Sequence, residues 1–218
     1  MYRIGGFMVI ALLAATPVGL FAEVIDRIAA VVNRDIITLS DLEREQKFQA
    51  ANQGKVFAVQ GPSEGEERAE MLQKLVDQDL IRQQIQQFPG IEVSEAEVEK
   101  QIAAMVKESG SVQNWEQLLG RLQITQQDLK EHVTWQLQVM KFFDHRFRQF
   151  VVVHHGEIES YYREKFLPEL AVKGIQEQPP LAEVREKIRA LLTEEKVNLQ
   201  IDDWIKSLRE SASIEIFD

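Results

Sequence analysis

From Glu23 to Asn33 (EVIDRIAAVVN) the chain is apolar and rich in β-branched residues, and between Ile28 and Val32 both alternating faces are apolar. That pattern predicts a strand covered on both sides. Asn33-Arg34-Asp35 supplies side chains that tolerate tight-turn backbone angles, and Ile36 to Leu39 reads as the returning strand. Ser40 with Glu43 three residues on has the spacing of a reciprocal helix cap, predicting a helix to about Asn52. Gly54 to Gly65, with Gly61-Pro62 inside it, reads as a loop.

From Glu66 onward helical periodicity dominates. Glu66 to Phe88 carries Leu72, Leu75, Val76, Leu80, Ile81 and Ile85 around much of its circumference, which predicts a well-buried helix ended by Pro89-Gly90. Ser94 with Glu97 opens a helix to about Glu108, and Asn114 to Leu122 forms a short one. Thr125 with Asp128 starts a long helix reaching about Phe150. Val151 to His155 is extended, Gly156 to Phe166 is helical, and 167–178 lacks strong periodicity and reads as a linker. Pro179-Pro180 suits the entry of a last helix to about Glu210, and Ser213 to Asp218 (SIEIFD) alternates as a terminal strand.

A strand at each end of a helical chain needs backbone partners, and a lone hairpin is marginal in water. The simplest closure adds the C-terminal strand to the N-terminal hairpin. The expected fold class is therefore mainly α with a small β-sheet (α+β), a helical bundle lying between the strands.

The long helix holds the feature that exceeds core building. On a helical wheel Leu129, Val133, Leu137, Met140 and Phe147 form one apolar stripe. Trp135, Val139, Phe142 and Phe150 form a second, roughly 140° away. Either both stripes are sandwiched in the bundle or the second lines a groove. The groove alternative makes Trp135, Val139, Phe142 and Phe150 candidate peptide-binding residues, because exposed apolar surface is what an unfolded-chain binder requires.

Composition narrows the chemistry. Apolar residues make up 44% and charged residues 28% of 218, an ordinary globular balance. Arg3, the apolar run Ile4 to Ala15, the breakers Thr16, Pro17 and Gly19, and Ala22 as a small residue at a cleavage point outline a secretory signal over residues 1–22. The alternative is an uncleaved N-terminal anchor, although the run is short for a membrane span. Losing Arg3 takes the net charge from −10 to −11, which disfavours nucleic acid as a partner. With no Cys there is no thiol nucleophile, thiolate metal site or lipidated cysteine.

Of His132, His145, His154 and His155, the adjacent pair in an extended segment points to opposite faces, so no metal site is expected. No phosphate loop, nucleophile elbow or zinc-protease motif is present, and no catalytic residue or cofactor is assigned. Asp77 and Asp79 lie within an apolar helix, where partial burial implies a structural hydrogen bond; Asp202 and Asp203 read as chance neighbours.

DRIAAVVNRDIITLSDLE (Asp26 to Glu43) is similar to the start of the mature SurA-type periplasmic chaperones. KLVDQDLIRQQ (Lys74 to Gln84), IEVSEAEVEKQI (Ile91 to Ile102), VVVHHGEIESYYREKF (Val151 to Phe166) and the stretch from Pro179 to Ile216 keep the family's order. The resemblance implies an ATP-independent periplasmic chaperone for unfolded outer-membrane proteins. It also implies a chaperone module built from residues 23–166 and closed by the C-terminal helix and strand, 179–218. Many members carry parvulin-type prolyl isomerase domains between these parts. Here only 12 residues separate Phe166 from Pro179, whereas an independent domain needs at least about 50, so no isomerase domain is expected. Open alternatives are a prolyl isomerase or its accessory subunit, a structural protein anchored in the inner membrane, and a homodimeric state.

Overall fold

The computed structural model describes residues 26–52, 65–175 and 177–217. The signal segment 1–22 and most of the loop expected between the first two helices lie outside these residues.

The chain opens with β1 (Ile28–Val32) and β2 (Asp35–Thr38), an antiparallel hairpin turning on Asn33, whose φ of 57° is the left-handed conformation Asn tolerates. Helices α1 (Leu39–Asn52), α2 (Glu66–Gln86), α3 (Glu95–Glu108), α4 (Val112–Leu122) and α5 (Gln126–Arg146) come next. One 3-10 turn (Arg148–Phe150), α6 (His155–Tyr161), a π-helical turn (Tyr162–Phe166) and α7 (Leu167–Val172) lead to α8 (Leu181–Ser211) and β3 (Ile214–Ile216). The strand order is β2-β1-β3, with Ala30 opposite Ile216 and Val32 opposite Ile214. The two ends of the chain thus close one small sheet, as the unpaired strands required.

Asn33 locks this closure. Its amide donates to the Ser213 carbonyl at 2.7 Å, and its side-chain Oδ1 accepts from the Ser213 amide at 3.0 Å. Its Nδ2 donates to Gln83 of α2 at 2.8 Å. A turn residue, the last strand and a central helix are thereby held by one side chain. Arg209 of α8 adds a clasp to α2, donating to Asp77 and to both the side-chain and backbone oxygens of Gln73.

Among the described residues, four apolar clusters fill the interior. Ala29, Ala30, Val32 and Ile37 of the sheet pack on Leu72, Val76 and Leu80 of α2, with Leu208 and Ile214 alongside. Phe48, Val98, Trp115, Leu119, Leu122, Leu129 and Val133 join α1, α3, α4 and the first half of α5. Ile81, Ile85 and Phe142 join α2, the second half of α5 and Trp204 of α8. Ile158, Val184 and Ile188 join α6 to the start of α8.

Several local expectations change. The caps at Ser94/Glu97 and Thr125/Asp128 form as expected. The first helix starts earlier, at Leu39, and Thr38 with Asp41 replaces Ser40 with Glu43 as its cap: the Thr38 amide donates to Asp41 Oδ2 at 2.9 Å. The sheet ends at Thr38, so the turn into the helix falls there and uses the nearer carboxylate. The expected linker 167–178 is helical over Leu167–Val172, because the π-helical turn carries α6 onward without a break. The long helix stops at Arg146, and Phe147 (φ −119°) turns its ring against Trp204.

The expected first stripe also splits. Leu129, Val133 and Leu137 pack in the α3–α4 cluster, whereas Met140 is 53% exposed and Phe147 packs with Phe143 and Trp204. The two halves of α5 pack on different neighbours, so its buried face rotates along its length.

Candidate functional site

Helices α1, α2 and α5 diverge beneath the edge of β2 and leave an open groove of about 850 Å³. Ligand sites commonly span a few hundred to about 1,000 Å³. Ile36 and Phe48 come from the hairpin and α1, Leu75 and Ile85 from α2, and Trp135 from α5. Ile36 sits on the outer edge strand with 55% of its surface exposed.

The polar lining is held by its own helices. Asp79 is 5% exposed and accepts from Gln83 Nε2 at 2.8 Å and Arg82 Nη1 at 3.3 Å. Burial pushes its carboxyl above the ordinary range, while the Gln83 hydrogen bond pulls the other way. Glu45, also buried, accepts from Lys74 Nζ at 2.7 Å. His132 stacks flat on Phe48, centroids 3.8 Å apart, and burial lowers its pKa so that the neutral imidazole is favoured. The Thr134 hydroxyl donates to the Lys130 carbonyl at 2.7 Å and is thereby committed to the backbone. The groove offers an aromatic face, apolar patches and fixed charges, an arrangement suited to holding a chain.

The four candidate residues of the long helix do not share a surface. Trp135 is half-buried, borders the third apolar cluster and lines the groove. Val139 is half-buried in the same cluster. Phe142 is 1% exposed, in edge and tilted contact with Phe88, Phe143 and Trp204, so it is core and no groove residue. Phe150 is 69% exposed but lies on the 3-10 turn beyond the helix end, outside the groove lining. A helical wheel assumes one continuous helix and cannot see which neighbour covers each half. The wheel also missed Ile36, Phe48, Arg82 and His132, which gather only through tertiary packing. Asp79 alone gave a signal, as a carboxylate inside an apolar helix.

The sheet that joins both chain ends, with a groove between the long helices beside it, defines an α+β module with a surface able to receive polypeptide. The chain belongs to the SurA-like N-terminal domain family, whose model matches residues 4–143. It is also similar to the proteins named Chaperone SurA of Bordetella pertussis and of Bordetella bronchiseptica, each 36% identical over 80 residues. These matches cover 37% of this chain and 15% of the length of either relative.

Proposed function

We propose that this chain is a periplasmic chaperone module that holds unfolded polypeptide in the groove between α1, α2 and α5. The open groove carries the reading: it is lined by half-buried Trp135 and exposed Ile36, in a chain that belongs to the SurA-like N-terminal domain family and is similar to proteins named as chaperones. Outer-membrane proteins are the proposed clients. Their strands alternate apolar and polar residues, and before insertion that apolar face needs cover. Binding of this kind needs no nucleotide. The acidic surface, with a net charge of −10 over the full sequence, keeps the complex soluble.

We place the module in the periplasm, delivered by the segment 1–22. We further propose that the chain lacks prolyl isomerase activity. Supporting this, the span between Phe166 and Pro179 is short and is taken up in part by the short helix α7.

The test is light scattering from an outer-membrane protein diluted out of urea, with and without stoichiometric amounts of the purified chain and no nucleotide. Suppressed aggregation is expected. Unchanged scattering at several-fold excess refutes the chaperone reading. A peptide assay that detects X-Pro isomerisation above its slow uncatalysed rate refutes the non-enzymatic part.

A further inference from the structure

The groove contains one contact that resembles a filled binding site. The Arg82 guanidinium carbon lies 4.8 Å from the centroid of the Trp135 ring, and the same guanidinium is 3.3 Å from the Asp79 carboxylate. An aromatic face and a carboxylate around one guanidinium is the arrangement that recognises arginine: the ring takes the flat face and the carboxylate takes the N–H edge. Resting on the peptide-groove reading above, we propose that Trp135 and Asp79 form a subsite for an arginine side chain of the bound polypeptide, occupied by Arg82 when the groove is empty.

Three observations favour an incoming arginine over the resident one. Arg82 and Asp79 are three residues apart on one helix, so the shared backbone fixes how the Arg82 guanidinium can approach the carboxylate. Its contact is correspondingly single and long, outside the 2.7–2.9 Å typical of charge-assisted pairs. An arginine entering from the groove has no such tether. Second, Asp79 is nearly buried, with Gln83 as its other donor and with Asp35 raising its charge cost, so a second cation close by is favoured. Third, the Arg82 side chain is 48% exposed, so it can swing to water at little cost.

Charge complementarity points the same way. Among the described residues five carboxylates line the groove against three cationic side chains. Asp41 is paired with Arg44, Asp79 with Arg82 and Glu45 with Lys74 from outside the lining, while Lys130 is engaged by Glu95. Among the described residues Asp128 and Glu131 are left without a salt bridge, Glu131 accepting from the neutral Gln127 amide. The groove therefore carries uncompensated negative charge and favours a cationic segment. Lysine is the poorer fit, because an ammonium neither stacks flat on a ring nor presents a planar N–H edge.

The test uses the whole chain and three synthetic peptides of one apolar sequence that differ at a single central residue: arginine, lysine or citrulline. Citrulline keeps the shape of arginine and removes its charge. Affinities are read by fluorescence anisotropy. In the wild-type protein the arginine peptide is expected to bind a few-fold tighter than the other two. In Arg82→Gln, which removes the internal competitor from an exposed position, the arginine-to-citrulline ratio is expected to rise to the order of tenfold.

Asp79→Asn is expected to bring that ratio back to about one. Trp135→Leu serves the same purpose if the buried asparagine disturbs folding by circular dichroism. Equal affinities for all three peptides in both wild type and Arg82→Gln overturn this subsite alone. Equal preference for lysine and arginine also overturns it, since general charge attraction then suffices. Binding of none of the peptides overturns the subsite together with the groove reading on which it rests.

Discussion

Trp135→Ala and Phe142→Ala, seven residues apart on one helix, separate groove from core. Phe142 is 1% exposed, with ring centroids 5.6 Å from Phe88, 5.6 Å from Trp204 and 6.0 Å from Phe143. Truncating a buried phenylalanine removes its transfer free energy and leaves a cavity that the surrounding rings cannot fill. The expected loss is about 3–5 kcal/mol, a large part of a typical 5–15 kcal/mol. At roughly 2–4 °C per kcal/mol for a chain of this size, the melting temperature falls by about 6–20 °C.

Trp135 is half-buried, and its ring meets the Arg82 guanidinium at the groove. Its truncation is expected to cost no more than about 2 kcal/mol. Client binding, in contrast, should weaken measurably at temperatures where the variant is fully folded. Phe150→Ala is the control: at 69% exposure and outside the groove it should shift stability by no more than about 0.5 kcal/mol and leave client binding as in the wild type. Urea unfolding and aggregation suppression are measured on the same three variants. The division into core and groove fails if Phe142→Ala costs under about 1 kcal/mol, or if Trp135→Ala binds clients normally while Phe150→Ala does not.

Three further perturbations probe the frame. Hydrogen bonds from Lys141 and from the backbone and side chain of Ser94 hold the Glu97 carboxyl down at about 2, against an ordinary 4.5. A depressed carboxyl stabilises the fold above its unfolded pKa and loses that contribution as pH falls from about 4.5 towards 2. Glu97→Gln should therefore flatten the acid limb of a melting-temperature profile in that window, and an unaltered limb contradicts the assignment. Deleting residues 213–218 removes β3 and the Asn33 lock. With Ile214 half-buried and Ile216 48% exposed, the loss should be smaller than for two fully buried isoleucines, about 2–3 kcal/mol, read by urea unfolding; no loss refutes the joined sheet as a stabilising element. Arg209→Ala breaks the clasp between α8 and α2 and leaves Asp77 without its cation, for an expected loss of about 2 kcal/mol by the same measurement.

The linear sequence determined the elements and how the chain ends must meet. Apolar periodicity marked the helices, the spacings at Ser94 and Thr125 marked two starts, and unpaired strands at either end demanded a shared sheet. These are signals carried by residues a few positions apart, where backbone geometry alone fixes which side chains share a face. At the first helix the spacing of Ser40 and Glu43 pointed to the wrong cap, and the point at which β2 ends put Thr38 and Asp41 there instead.

Tertiary structure decided the site. Trp135 and Phe142 belong to one stripe on a wheel, yet α8 brings the Trp204 ring against Phe142, whereas the Trp135 ring lines the groove under the half-exposed Arg82 side chain. Ile36, Phe48, Asp79, Arg82 and His132 stand on four different elements and meet only because three helices splay beneath an edge strand. Periodicity states that a face is apolar. Which neighbour buries it, and where neighbours part, depends on contacts between residues dozens of positions apart, and no local pattern encodes those.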